Sequence, residues 1–208
     1  MKNWLEDLNK TLGLGLILAF IVFLIRGYYG ILDEIGFWAF LFRWIHVVFG
    51  ILWIGLLYYF NFVQTPALAV AAADKGGPGG AGISKYVAPR ALLWFRWSAA
   101  LTWLMGVAYL GYRSSLGAFA LGFEKSPVDN YELTIGVGAW LGTIMLFNVW
   151  VLIWPNQKKI LGIVPASDEQ KAKARKIAAL ASRTNTMLSI PMLLCMASAS
   201  HGLPLIHG

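Results

Sequence analysis

The sequence predicts an all-α integral membrane protein, a bundle of about five transmembrane helices with an additional cytoplasmic surface helix. Hydrophobic residues make up 58% of the 208 positions and charged residues 13%, whereas soluble domains average about 45–50% and about 25%. The mean hydropathy is +0.63. Runs of about 20 mainly apolar residues, long enough to cross a bilayer as a helix, recur along the chain. Basic residues concentrate between these runs, as they do in the loops of membrane proteins.

Five apolar runs are predicted to be spans of a single membrane domain that covers residues 1–208. Their approximate ranges are 12–29, 41–63, 92–112, 133–154 and 184–203. The first has the length of a signal peptide, but Glu6 and Asp7 stand where a basic segment is expected, so a retained helix is predicted. The second is predicted to end near Pro66. Pro191 is predicted to kink the fifth, because proline removes a helical N–H donor.

The charges between the spans predict the orientation. With five spans, the N-terminal tail and residues 65–90 and 155–183 fall on one side, and they hold most of the 17 lysines and arginines. The positive-inside rule then places the N-terminus in the cytoplasm and the C-terminus outside. The glycine-rich segment at about 65–90 is predicted to be a flexible cytoplasmic linker, since it lacks the Gly-Lys-Ser/Thr sequence of a phosphate-binding loop.

The stretch 168–182 is predicted to be an amphipathic helix. Residues 167–170 read Ser-Asp-Glu-Gln, which has the form of a capping box. The Lys- and Arg-rich residues that follow fit a helix on the anionic membrane surface or, equally well, a solvated helix that carries ordinary topology charges. Because loops of this kind account for the net charge of +7, no nucleic-acid partner is expected. Membrane lipid is the expected surrounding.

The cysteine content excludes several kinds of site. The one cysteine, Cys195, lies within an apolar run. A lone cysteine rules out an intrachain disulfide, a cysteine-based zinc site, an iron–sulfur cluster and a covalently attached haem. We therefore interpret Cys195 as a buried packing residue.

Two intramembrane histidines, His46 and His201, are the candidate functional residues. Each lies about one turn inside the outer end of its predicted span, so at a rise of about 1.5 Å per residue the two imidazoles can share one depth. Ionisable residues inside membrane helices are functional candidates. Two facing imidazoles suit the iron of a non-covalent, bis-His b-type haem, although either could instead hydrogen-bond a neighbouring helix. His207, in the tail, is predicted to be unligated.

Four further residues are predicted to surround this cofactor. Gly50 and Ser198 are small and would let the macrocycle approach the backbone, and Trp53 would pack against it. Arg43, one turn from His46, would pair with a haem propionate. The alternative for Arg43, and for Arg96 in the third span, is that the side chain extends to the membrane interface.

Four segments of the chain resemble the N-terminal membrane domain of bacterial cytochrome c-type urate oxidases. They are residues 42–55 (FRWIHVVFGILWIG), 94–97 (WFRW), 150–159 (WVLIWPNQKK) and 191–201, a proline-containing span that ends in histidine. The resemblance covers about residues 37–201 and implies that His46 and His201 are the membrane histidines of that family. Full-length members also carry a cytochrome c domain with a C-x-x-C-H motif, which this sequence lacks. Over one helix the chain also resembles membrane protoporphyrinogen oxidases.

The sequence is compatible with three functions. The first is a haem b protein of the bacterial inner membrane that transfers electrons from a reductant to a separate cytochrome c, a quinone or a larger complex. The second is a membrane oxidase of urate or protoporphyrinogen. The third is a non-catalytic accessory subunit of a respiratory or photosynthetic complex, in which the histidines are structural. Hydrolytic chemistry is not expected, because no Ser-His-Asp arrangement is visible and carboxylates cluster in loops.

Overall fold

The computed structural model describes residues 4–28, 34–113 and 115–199, and all regular secondary structure in these residues is helical. This agrees with the predicted all-α class. The chain divides into two compact units, Met1–Trp38 and Ala39–Gly208. Within the described residues, four helical stretches are long and apolar enough to cross a membrane. They are Leu8–Ile25, Gly36–Ala73, Ile83–Tyr112 and Asn130–Ile160.

The first unit contains helix α1, Leu8–Tyr28, and the start of helix α2, Glu34–Tyr58. Helix α1 begins a turn earlier than predicted, because the Asp7 carboxylate accepts hydrogen bonds from the backbone N–H groups of Asn9 and Lys10 and so caps the first turn. Most large apolar side chains along α1 are exposed. Such a surface is stable in contact with hydrocarbon rather than water.

The second predicted span does not end near Pro66. Helix α2 continues through a π-helical segment, Tyr59–Gln64, into helix α3, Thr65–Ala73. Helical structure resumes at Ile83–Val87, another π-helical segment, and continues as helix α4, Ala88–Tyr112. The break between the two helical stretches is therefore confined to about residues 74–82, and the predicted linker over 65–90 is too long.

The π-helical segments explain why the prolines fail to end these helices. Each segment ends two residues before a proline, at Pro66, Pro89 and Pro155. Proline lacks an N–H donor and its ring clashes with the carbonyl four residues earlier. A π-helical turn changes the register, as in the bond from the Thr65 N–H to the carbonyl oxygen of Phe60, and so relieves that conflict.

The second half of the chain forms a long helical hairpin. Helix α5, Asn130–Phe147, continues through the π-helical segment Asn148–Ile153 into helix α6, Trp154–Ile160. Helix α7, Asp168–Ser198, returns alongside it. Each arm has 31 residues and measures about 46 Å, which exceeds the roughly 30 Å hydrocarbon core.

Residues 168–182 do not form a separate surface helix but are the first half of α7. The predicted capping box is confirmed, since Gln170 N–H donates to Ser167 Oγ at 3.2 Å and Ser167 N–H donates to Gln170 Oε1 at 2.9 Å. The buried face of this half consists of small residues, Ala174, Ala178 and Ala181. Small side chains let two helices approach closely, and α7 packs against α6 along this region.

The predicted fifth span, residues 184–203, occupies the second half of α7 and extends past the described residues. It is not among the four stretches with sufficient apolar length, because Arg183, Asn185 and several Ser and Thr residues lower the hydropathy of α7. Pro191 lies inside this helix, which continues to Ser198. Membrane crossing at α7 and the orientation of the chain remain predictions.

Polar side chains fix α7 to its neighbours. Asn148 Nδ2 donates to Asn185 Oδ1 at 2.8 Å, and Asn185 Nδ2 donates to the Met145 carbonyl oxygen at 3.0 Å. Asn61 Nδ2 donates to Ser182 Oγ at 2.8 Å. Hydrogen bonds between helices satisfy polar groups that hydrocarbon cannot solvate. These contacts place α7 against both α5 and the π-helical segment that follows α2.

The segment between α4 and α5 packs on the start of α5. Its short 3₁₀ helix, Leu116–Ala120, lies so close to α5 that a Cβ atom at Gly136 would collide with the carbonyl oxygen of Ala118. Trp140 Nε1 donates to the carbonyl oxygen of Phe119 at 3.1 Å. Glycine at position 136 is therefore required for this contact.

Asp129 caps helix α5 at the end of the same segment. Its carboxylate accepts a hydrogen bond from the Glu132 N–H at 2.9 Å, and Lys125 Nζ lies 2.9 Å from oxygens of both Asp129 and Glu132. The backbone hydrogen bond from Glu132, followed by the one from Lys125, lowers the pKa of Asp129. The same contacts, first with Glu132 and then with Asp129, raise the pKa of Lys125.

Candidate functional site

A cavity of about 460 Å³ lies among helices α2, α4, α5 and α7. Its volume falls within the range of roughly 300–1,000 Å³ typical of ligand pockets. Along α2 the wall extends from Arg43 to Gly55, a length of about 18 Å at the helical rise per residue. The lining is predominantly apolar, with a few polar side chains. Such a cavity suits an elongated hydrophobic group that carries a small number of polar atoms.

His46 is held in one orientation at the wall of this cavity. Its Nδ1 atom lies 2.7 Å from the carbonyl oxygen of Thr102 on α4. A carbonyl oxygen only accepts hydrogen bonds, so the pair is satisfied when Nδ1 carries the proton. The lone pair of the neutral imidazole is then on Nε2. Metal-ligating histidines are commonly oriented in this way, by a hydrogen bond from the other ring nitrogen to a carbonyl.

Glycines allow α2 and α4 to approach around His46. A Cβ atom at Gly106 would lie 2.9 Å from His46 Nδ1 and 3.0 Å from Cε1, so this position has no room for a side chain. A Cβ atom at Gly50 would lie 3.6 Å from Thr102 Cγ2, an ordinary contact. Gly106 therefore sets the position of the imidazole, whereas Gly50 mainly keeps the cavity open.

The cavity has different groups towards its two ends. Arg43 lies one turn before His46, and the same cavity is lined by Tyr109 of α4 and Tyr131 of α5. Trp53, two turns beyond His46, lines the cavity and is 2% exposed. Its indole Nε1 has no hydrogen-bond partner within the described part of the chain. The Arg43 end is thus the one suited to an anionic group.

Four of the six predicted site residues line this one cavity: His46, Arg43, Gly50 and Trp53. Ser198 does not line it. Its hydroxyl donates to the Leu194 carbonyl oxygen at 2.7 Å, the usual way in which a helical serine satisfies itself.

His201 and His207 lie outside the described residues. Among the residues that are described, no group of three or more His, Cys, Asp or Glu side chains could hold a metal ion. His46 is therefore the imidazole that the described part of the chain contributes, and ligation by His201 stays a prediction. Cys195 is a half-buried free cysteine.

Sequence reasoning missed the partners that the other helices supply. Thr102 acts through its carbonyl oxygen, a group that every residue possesses and no motif reveals. Gly106 follows Thr102 by one turn of α4, so the two residues share one face of that helix. This spacing was the one sequence feature that could have indicated a contact surface for His46. Tyr109 and Met196 enter the cavity from α4 and α7. Their roles depend on the packing of helices that are distant in sequence.

The fold and the site define an all-helical protein with four stretches apolar enough to span a membrane and with an apolar cavity beside an oriented histidine. A family model, urate oxidase N-terminal, matches residues 130–207. The matched region holds two of the four resembling segments, 150–159 and 191–201, and begins after the other two. No curated protein and no solved structure matches the chain. Over α5 to α7 the chain is therefore similar to urate oxidase N-terminal domains.

Proposed function

We propose that this protein holds a b-type haem in the cavity among α2, α4, α5 and α7. The bound haem would pass electrons from a reductant to a separate acceptor. The observation that supports the proposal best is the His46–Thr102 hydrogen bond, which leaves the Nε2 nitrogen free to ligate at the wall of an apolar cavity. His46 and His201 are the residues that would hold its iron. Once bound, such a haem would supply one-electron transfer.

The residues around the cavity have distinct proposed roles. The Thr102 carbonyl keeps the proton of His46 on Nδ1 and orients the ring. Gly106 leaves room for the imidazole between α2 and α4, and Gly50 keeps a side chain out of the cavity that would receive the macrocycle. The guanidinium of Arg43 pairs with a carboxylate of the cofactor at its end of the cavity. The apolar walls exclude water and so favour a low-polarity cofactor.

The predicted orientation indicates the side of the membrane from which a reductant would act. With the Lys-rich loops in the cytoplasm, the Arg43 and His46 end of the bundle faces outward in a bacterial inner membrane. We therefore propose that a reductant acts from the outer side. A separate cytochrome c, a quinone or a larger electron-transfer complex would take the electrons onward.

A second candidate is a membrane oxidase of the urate oxidase type, which the family match over residues 130–207 favours. Both candidates place a redox group at His46, so the test is whether urate itself reduces that group. Reduction of the bound haem by urate, without a mediator, supports the oxidase. A haem that responds only to other reductants supports the electron carrier, and a stable colourless protein supports a structural accessory subunit.

The residue-level test measures the ratio of haem to protein in His46→Ala, His201→Ala and the control His207→Ala, each purified from membranes. We expect the first two variants to lose most of their haem and the control to retain it. Exogenous imidazole should restore low-spin haem in His46→Ala, because it can occupy the space of the deleted ring. Wild-type haem content in His46→Ala would refute the proposed ligation.

A further inference from the structure

Two cations approach one tryptophan ring at the end of the bundle opposite His46. The guanidinium carbon of Arg96, on α4, lies 3.9 Å from the centroid of the Trp154 ring, on α6. Lys158 Nζ, one turn after Trp154, lies 5.8 Å from the same centroid. Both distances are those of cation–π contacts. Two positive charges therefore lie close to one ring.

Neither of these positive charges forms an ion pair with a described residue. The ion pairs formed by the described residues join Lys125 to Asp129 and Glu132, and Lys171 to Asp168. Since Arg96 and Lys158 approach a common ring, they lie within about 10 Å of each other, which is one Debye length at 0.1 M salt. Both charges therefore contribute to the positive potential that an anion between or beside them would experience.

Arg96 also keeps unused hydrogen-bond donors. Its one hydrogen bond within the described residues is from Nη1 to the Leu92 carbonyl oxygen of its own helix, at a long 3.4 Å. A guanidinium has five N–H donors, arranged in a planar fork that matches phosphate or carboxylate oxygens. The contact with Trp154 restricts the position of the guanidinium, and most of its N–H donors have no partner among the described residues.

The surroundings of Arg96 are those of a membrane interface. Leu93, one turn before Arg96, is 43% exposed, and the adjacent Trp97 is 52% exposed. Trp97 also packs edge-on against Trp150, one turn before Trp154, with ring centroids 5.4 Å apart. Exposed aromatic and basic groups together are typical of the headgroup level of a bilayer. One aromatic pair and one cation–π contact therefore join α4 to the hairpin, and exposed apolar side chains lie beside the cations.

We propose that Arg96, Trp154 and Lys158 form a binding site for the phosphate of an anionic phospholipid. The cations would hold the phosphate, and the acyl chains would cover Leu93 and Trp97. A free phosphate ion would satisfy the charges but leave that apolar surface exposed, which is why a lipid is the favoured source. This site is separate from the cavity at His46, and the proposal does not depend on a bound haem.

The test is native mass spectrometry of the full chain in detergent, titrated with phosphatidylglycerol or phosphatidylcholine. We expect a preference for phosphatidylglycerol, and a loss of affinity of about tenfold in Arg96→Gln, the scale of one charge-assisted contact. Arg96→Lys keeps the charge but not the planar guanidinium, so its affinity for phosphatidylglycerol should lie between those of the wild type and Arg96→Gln. The matched control is Lys173→Gln, which removes an equal charge from an exposed position on α7 and should change affinity less than twofold.

Three further results would overturn the proposal. Equal losses in Arg96→Gln and Lys173→Gln would show that the whole basic surface acts without a site. Equal retention of phosphatidylglycerol and phosphatidylcholine by the wild type would show that the site does not select an anionic lipid. Complete displacement of phosphatidylglycerol by millimolar inorganic phosphate would identify a free anion as the ligand. Unchanged circular dichroism and melting temperature in Arg96→Gln would show that any lost binding is not a loss of folding.

Discussion

The Nδ1 atom of His46 lies 2.7 Å from the carbonyl oxygen of Thr102, and this hydrogen bond joins α2 to α4 at the wall of an apolar cavity. It determines which ring nitrogen carries the proton and therefore which one can bind a metal. An imidazole in a membrane helix would otherwise be free to bond any neighbouring group. The proposed function depends on this orientation more than on any other contact.

Replacing Gly106 with alanine should disturb the imidazole directly. The new Cβ atom would lie 2.9 Å from His46 Nδ1, so the ring must shift and its bond to Thr102 must lengthen. We expect the haem content of purified Gly106→Ala to fall at least severalfold. Gly55→Ala is the matched control, because Gly55 lines the same cavity but a Cβ atom there meets no atom within 4 Å. Equal haem content in the two variants would contradict the role of Gly106.

The Asn148–Asn185 pair should show a measurable coupling energy. Both side chains are buried, so Asn185→Leu leaves a polar Asn148 without its acceptor. The expected cost is about 1 kcal/mol, within the range of hydrogen bonds in membrane bundles. The double variant Asn148→Leu/Asn185→Leu should lose less than the sum of the two single variants when unfolding is followed in mixed detergent micelles. Additive losses would show that the pair contributes no specific interaction.

Gly136 should be essential for the segment that precedes α5. Alanine there would place a Cβ atom against the Ala118 carbonyl oxygen and push the 3₁₀ helix away. We expect a lower melting temperature and faster proteolysis within residues 115–129. Gly142→Ala, on the same helix and with open space at its Cβ position, should behave as the wild type. Similar melting temperatures for the two variants would be evidence against this packing.

The cap at Asp129 predicts a specific pH dependence. Its pKa is lowered in the folded protein, so its stabilising contribution is complete above the unfolded-state pKa and is lost as the pH falls through the lower folded value. The pKa of Lys125 is raised in the folded protein. The stabilising contribution of Lys125 is therefore complete below its unfolded-state pKa and is lost in strong alkali. Between these limits both contributions are present.

Asp129→Ala should therefore melt at a lower temperature than the wild type at neutral pH, because the cap and its ion pair are removed. At acidic pH, below the folded pKa of Asp129, the two proteins should converge. Differential scanning calorimetry in detergent at both pH values measures the difference. A constant difference at all pH values would mean that Asp129 acts without its charge.

The sequence was most informative where one helix carries the signal. Arg43, His46, Gly50 and Trp53 recur at intervals of three or four residues, so they share a face of α2, and the structure places all four at one cavity. The capping box at Ser167 could also be predicted, because the two residues that form it are only three positions apart in the sequence. Composition together with the lengths of the apolar runs was sufficient to predict a helical chain with stretches of membrane-spanning length.

The sequence was least informative where backbone geometry, or packing between segments distant in sequence, determines the structure. Pro66 predicted a helix end, but a π-helical turn accommodates it, and a bulge of this kind has no residue signature. The charges of 168–182 suggested a surface helix, although Ala174 and Ala178 already marked a face that packs on α6. Ser198 was assigned to the site from its size and its spacing to His201, whereas its hydroxyl bonds to its own helix.

The most direct measurement of the central claim is a reduced-minus-oxidised absorption spectrum of the wild-type protein purified from membranes. We expect the sharp α and β bands of a low-spin b-type haem at about one haem per chain, extractable by acidic organic solvent because no cysteine attaches it. A folded, colourless protein that takes up no added haem would show that the chain does not bind haem.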